Sequence, residues 1–255
     1  MVRHVDINVD SGESFGRYVL GTDEIFNYVT SANIACGFHA GDPSVMRRTV
    51  KSAKLRGVEV GAHPGFPDLM GFGRRGMEVS KEDLINYILY QVGALEGVAR
   101  AEGVSLQHVK LHGALYNMAW VRKDYAEALA EAVRLINPSL IVVAPPYSEM
   151  ERATREAGLK VAKEFFLDRN YLPDGRLVPR SESNALIRNV SEAVERALKA
   201  VSEGVVKAVN GEQLNVEVDT ICVHGDTPEA VEMARALKDR LIEAGIKVSP
   251  MKVFI

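Results

Sequence analysis

Short apolar runs recur along the chain, each followed by a polar loop and then by a longer segment with apolar residues at helical spacing. Short apolar runs bounded by turn residues read as strands buried on both faces. The strands predicted are Val5–Val9, Ala32–Cys36, Val58–Ala62, His108–Leu111, Leu140–Ala144, Val161–Phe166 and Thr220–Val223. The segments between them predict helices over Pro43–Leu55, Ser80–Glu102, Asp124–Leu135, Tyr147–Ala157, Glu182–Ser202 and Pro228–Ala244. Asp42 precedes Pro43 as an N-cap with proline in the first turn. Ser80 with Asp83 approximates a capping box. Gly57, Gly103, Gly158 and Gly245 follow helix ends, where a left-handed residue is wanted. The β-α alternation predicts a mostly parallel sheet flanked by helices. Seven strands in 255 residues predict an α/β fold, a TIM-like (β/α) barrel forming one domain over residues 1–255. An open doubly wound sheet is the alternative. The stretch KAVNGEQLNVEV breaks the rhythm and predicts a hairpin turning at Asn210–Gly211.

Side chains alternate across a strand, so residues two apart share a face. Asp6, Asn8 and Asp10 are in phase, opposite Val5, Ile7 and Val9. Glu59, Gly61 and His63 are in phase, as are His108, Lys110 and His112, then Glu164, Phe166 and Asp168, then Cys222, His224 and Asp226. With helices outside, the apolar sets should face outward and the polar sets should face into the barrel and rise toward its C-terminal mouth, where barrel enzymes work. One Asp or His at a strand end is commonly a cap or a satisfied polar group. Five strands delivering ionisable groups in one phase point instead to shared chemistry, because each buried charge needs a partner.

The loops extend the pattern. Cys36–Asp42 leads into a helix N-terminus and reads as an anion site. A long Gly-rich loop follows His63 and ends at Arg74 and Arg75, which suit a carboxylate or phosphate. A second polar loop runs from Asp168, Arg169, Asn170 and Tyr171 to Arg180. His39, His63, His112 and His224 with Asp10 and Asp226 suit zinc or manganese. The same groups also serve acid–base work without a metal, so both uses stay open.

A net charge of −3 gives no reason to expect nucleic acid or an anionic membrane as partner. No apolar run approaches the roughly 20 residues a spanning helix needs. The N-terminal residues show no secretory h-region, so a cytoplasmic location is expected. Cys36 and Cys222 are too few for a disulfide framework and read as buried thiols. The sequence has neither a Walker phosphate loop nor a G-x-S-x-G elbow.

Asp6-Ile7-Asn8-Val9-Asp10-Ser11-Gly12-Glu13 and Ser31-Ala32-Asn33-Ile34-Ala35-Cys36-Gly37-Phe38-His39-Ala40-Gly41-Asp42 closely resemble the LamB/YcsF family of 5-oxoprolinase A subunits. The likeness continues through Gly61–Asp68, Phe72–Arg74, Val109–Asn117, Asp168–Tyr171, Leu177–Arg180 and Val223–Asp226. Leu111 and Ser11 depart from the family pattern, which has Pro and Leu there. The resemblance implies a seven-stranded barrel of the polysaccharide deacetylase and glycoside hydrolase type. It also implies ATP-dependent opening of the 5-oxoproline lactam to glutamate, with ATP and Mg as cofactors and B and C subunits as partners. On that reading Asp10 and Glu13 stand near the attacking water. Lys110 with Arg74 or Arg180 meets phosphate or carboxylate, and His39, His63, His112 and His224 transfer protons. Asn8, Asp42, Asp168, Arg169 and Asp226 are further substrate or phosphate contacts. A metal-dependent amidohydrolase without ATP, a non-catalytic substrate-binding subunit and, from the fold relationship alone, a sugar-processing role are the other readings.

Overall fold

The computed structural model describes residues 3–225 and 229–255, so Asp226 lies outside the described residues. All seven expected strands form, each within two residues of its expected bounds. The first six are β1 (His4–Ser11), β2 (Ser31–Ala35), β3 (Glu59–His63), β4 (Leu106–Lys110), β5 (Ile141–Ala144) and β6 (Lys160–Phe166). The expected hairpin follows as β7 (Val205–Lys207) and β8 (Gln213–Asn215), an antiparallel pair. The seventh barrel strand is β9 (Thr220–His224). The parallel ladder runs β1-β2-β3-β4-β5-β6-β9, and β9 pairs back onto β1 from Asp6↔Thr220 to Asp10↔His224. That pairing closes the barrel and excludes the open doubly wound sheet.

Among the described residues seven α-helices surround it: α1 (Pro43–Leu55), α2 (Lys81–Ala101), α3 (Gly113–Val121), α4 (Lys123–Ile136), α5 (Glu149–Glu156), α6 (Val190–Glu203) and α7 (Ala230–Glu243). Two differ from the sequence expectation. Helix α3 was not expected, because GALYNMAWV is apolar on nearly every side and carries no amphipathic signal. It is buried at the mouth through Leu115, Tyr116, Ala119 and Trp120. Helix α6 starts at Val190 rather than Glu182, with Asn189 as its cap. The residues before it are held as irregular chain: Asn170 N–H donates to the Ala185 carbonyl, and Ile187 N–H to the Asp168 carbonyl. The last helix was expected from Pro228, which lies outside the described residues. Among the described residues no helix is long and apolar enough to cross a membrane.

Strand parity holds. Val5, Ile7 and Val9 join the main core with the helices, while Asp6, Asn8 and Asp10 are buried on the opposite face, inside the barrel. Strand β5 is apolar on both faces. Its inner residues Ile141 and Val143 pack with Ala162 and the fully buried Met251. Met251 belongs to a segment that crosses the barrel floor after β10 (Lys247–Val248), a two-residue strand too short to be legible in sequence. Lys252 N–H donates to Gln107 Oε1 at 3.1 Å, and Lys252 Nζ pairs with Glu59 at 2.7 Å. The floor is closed, so the interior opens toward the C-terminal mouth.

A hydrogen-bonded network climbs from floor to mouth. Asp6 accepts from the Thr30, Ser31 and Thr220 hydroxyls. Gln107 Nε2 donates to His108 Nδ1 at 3.0 Å, and His108 Nε2 donates to Asn33 Oδ1 at 2.7 Å. Asn33 Nδ2 in turn donates to Asn8 Oδ1 and Asp10 Oδ1, both at 2.7 Å. Burial first, then the nearby Lys110 ammonium, hold His108 down to about 3, so it is a neutral imidazole with one proton to donate. Its ring fits only because residue 61 has no side chain: a Cβ there would lie 2.1 Å from His108 Nε2. Gly61→Ala should therefore displace the ring, break the link to Asn33 and cost about 3 kcal/mol. The measurement is thermal unfolding, with Tm falling by roughly 10 °C. An unchanged Tm would mean that the ring moves aside freely.

Candidate active site

The strand phase that buries Asp10, His63, Lys110, Glu164, Cys222 and His224 brings them to one end of the barrel. The loops after β2 and β3 add His39 and Arg74, and α3 begins immediately after His112. The His112 N–H donates to the Pro64 carbonyl at 2.9 Å, which ties the start of α3 to the loop after β3. Together they enclose a cavity of about 560 Å³. Its lining includes Asp10, Glu13, His63, Lys110, His112 and His224, together with Arg74, Arg169, Arg176 and Arg180. Tyr116, Asn117, Trp120 and Phe166 complete the walls.

Lys110 sits at the centre of the floor, 2% exposed. Its ammonium lies 3.0 Å from Asp10 Oδ1 and 2.8 Å from Glu164 Oε1. It also donates to Cys222 Sγ at 2.9 Å. Burial opposes its charge, yet Asp10, with Cys222 and Glu164, holds its pKa well above the ordinary lysine value. Burial alone would raise Asp10, but His63 and Lys110 hold that carboxyl well below the ordinary range. Burial pushes the Cys222 thiol up, so its sulfur meets Lys110 as a neutral acceptor. Glu164 also accepts from the Tyr116 hydroxyl at 2.8 Å and from Asn8 Nδ2 at 3.2 Å.

The imidazoles form a second cluster. His39 and His112 stack in parallel, ring centroids 3.6 Å apart, with His63 perpendicular to both. Burial first, then the neighbouring imidazoles, hold His39 and His112 well below the ordinary histidine value, so both are neutral at pH 7. The loop after β3 packs directly on the pair. Gly73 has φ of 63°, and a Cβ there would meet His39 Cβ at 2.6 Å. Among the described residues the potential metal ligands separate into two groups: Glu13, His39, His63 and His112, and Asp10, Cys222 and His224.

His224 lines the cavity and has its own partner. Its Nδ1–H donates to Asp168 Oδ1 at 2.8 Å and Oδ2 at 3.0 Å. Burial would raise Asp168, but His224, then Arg180 and Arg169, hold it below the ordinary value.

The sequence expectations fall into three sets. Asp10, Glu13, His63, Lys110, His112, His224, Arg74, Arg169 and Arg180 line the cavity together. His39, Asn8 and Asp168 lie behind that lining, in contact with it. Asp42 is elsewhere: its carboxylate accepts from the Ser44 and Val45 N–H groups at the start of α1 and from the Gly16 N–H. That occupies the helix terminus expected to be an anion site, so the loop before α1 leaves no anion site there. Arg75 is spent on Asp68 rather than on the cavity. Arg169 straps its loop through the Val178 and Ala185 carbonyls as well as lining the cavity. The expectation omitted Glu164, which parity did place in phase with Phe166. It also omitted Tyr116 and Trp120, which went unseen with α3, and Cys222, treated as an inert thiol.

The chain matches the LamB/YcsF family over residues 5–255. It is 55% identical over 252 residues to the 5-oxoprolinase A subunit of Pyrococcus furiosus, covering 98% of this chain and 99% of that protein. It is 51% identical over 246 residues to the 5-oxoprolinase A subunit of Bacillus subtilis, covering 96% of each. The lactam utilization protein from Thermus thermophilus superposes with a TM-score of 0.91 at 48% identity, over 96% of this chain and 99% of that one. The match takes in all seven barrel strands and every residue that lines the cavity, and the chain belongs to the LamB/YcsF family.

Proposed function

We propose that this chain is the A subunit of an ATP-dependent 5-oxoprolinase and works with B and C subunits. The observation that carries the reading is the composition of the cavity lining, in which carboxylate, ammonium and imidazole groups meet four arginines. A small cyclic amide bearing a carboxylate suits that lining, with its carboxylate toward Arg74 and Arg180 and its lactam toward His224. The relatives' name supplies the substrate.

Lactam opening is uphill unless coupled. Transfer of the ATP γ-phosphoryl group to the lactam oxygen makes the ring carbon electrophilic. Water then adds to that carbon and the ring C–N bond breaks as the nitrogen gains a proton, which leaves the acyl phosphate of the glutamate side chain. A second water cleaves that acyl phosphate, so the products are glutamate, phosphate and the ADP released in the first transfer. In this reading Asp168 holds the proton of His224 on Nδ1, so Nε2 takes a proton from the attacking water and returns one to the departing nitrogen. The lining arginines offset the charge of the carboxylate and of the phosphorylated oxygen.

Glutamate release from 5-oxoproline tests the proposal, with the chain alone and with its B and C partners, with and without ATP. Release that needs both ATP and partners is the expected result. No glutamate under any combination would remove the lactam reading.

A further inference from the structure

One face of α3 is turned into the cavity: Gly113, Asn117 and Trp120 follow one another at helical spacing, and all three line it. Asn117 lies in the middle of the helix, where its backbone is enclosed, so its contribution to the lining is its exposed side chain. Among the described residues nothing hydrogen-bonds to that carboxamide. The other carboxamides of the barrel interior are committed. Asn8 Nδ2 donates to Thr220 Oγ1 and Glu164 Oε1. Asn33 joins Asn8 and Asp10 to His108, and Gln107 joins Ser31 to His108. Asn117 therefore brings to the cavity a donor and an acceptor, side by side in one plane, that the fold itself does not use.

The group that matches such a pair is a cis amide. An open-chain secondary amide is trans and presents its N–H and C=O on opposite edges. A five-membered lactam is cis by ring closure and presents both on one edge. A carboxamide can close on that edge with two hydrogen bonds: its oxygen accepts from the ring N–H, and its NH₂ donates to the ring carbonyl. We infer that Asn117 is a specificity-determining contact that reads the N–H and C=O of a cyclic amide together. The inference deepens the lactam reading and rests on it.

The contact is compatible with the chemistry of ring opening. Hydrogen bonds to the lactam edge lie in the ring plane. Attack on the carbonyl carbon and protonation of the nitrogen come from the ring face, which this contact leaves to His224. Arg180 lines the same cavity and makes no hydrogen bond among the described residues, so its guanidinium is available to the substrate carboxylate. Trp120, one turn beyond Asn117, offers an apolar surface to the ring methylenes. The Tyr116 hydroxyl does not compete for the role, because it donates to Glu164.

Calorimetric titration of the full chain tests this, with 5-oxoproline and with 3-oxocyclopentane-1-carboxylate, which keeps the carboxylate and carbonyl but has CH₂ in place of N–H. The wild-type protein should bind 5-oxoproline about 10-fold more tightly than the ketone. Asn117→Leu is similar in size and favourable in a helix. It should weaken 5-oxoproline binding by about 10- to 100-fold and erase the preference over the ketone. Circular dichroism confirms that the variant is folded. A wild-type protein that binds both probes equally, or a preference that survives in Asn117→Leu, would overturn this inference and leave the lactam reading standing. No binding of 5-oxoproline by the wild-type chain would count against the lactam reading itself and remove this inference with it.

Discussion

Lys110→Met should destabilise the fold by about 3–5 kcal/mol, with Tm falling on the order of 10 °C. Methionine replaces the lysine stem, so the loss is that of the charge. Asp10 and Glu164 would remain in one closed floor, at 9% and 0% side-chain exposure, without the ammonium that stands 3.0 and 2.8 Å from them. Two carboxylates held that close repel each other, and neither can recover its lost hydration. The Tyr116 hydroxyl and the Asn8 and Asn33 amides would still donate to them, but a neutral donor does not balance an ionised group. The double variant Lys110→Met, Glu164→Gln removes one of the two stranded charges and should recover about 1–3 kcal/mol of the loss. Denaturant unfolding of both variants measures this. A single variant within about 1 kcal/mol of wild type would show that the floor does not hold two ionised carboxylates.

The barrel was legible because its strands are short, apolar and punctuated. The pattern of Val5, Ile7 and Val9 against Asp6, Asn8 and Asp10 separates helix-facing from interior residues without any tertiary information. Parity gives a direction but not a depth. Asn8 and Asp10 share a face, yet Asn8 is buried among Thr220, Glu164 and Asn33 while Asp10 reaches the cavity. Glu164 was in phase and still went unassigned, because its weight comes from Lys110, which is 54 residues away in the chain and 2.8 Å away in space. Two local signals each had a second use. Asp42 was visible as a cap and also as a candidate contact, and its N–H partners decide for the cap. Glu182–Asn189 has the charge content of a helix start, but pairing with Asp168 and Asn170 holds it as irregular chain. Helix α3 was illegible for the opposite reason, since a segment apolar on nearly every side has no polar face to mark its period.

On the proposed lactam reading, Asp168→Asn should lower kcat for 5-oxoproline by about 10²–10⁴ while leaving KM little changed. The side chain is isosteric and sits 5% exposed behind His224, outside the cavity lining, so substrate contacts are not what it removes. It removes the charge that stabilises the imidazolium formed when His224 takes a proton. It also removes control of the tautomer. An amide that turns its NH₂ toward Nδ1 forces the proton onto Nε2, the nitrogen that must accept one. A residue whose only task were packing would change Tm and leave the kinetics of the folded enzyme near wild type. One that held substrate would raise KM. Steady-state glutamate formation separates the three outcomes. A kcat within about tenfold of wild type would remove His224 and Asp168 from the proton-transfer role and shift it to the imidazoles around His63.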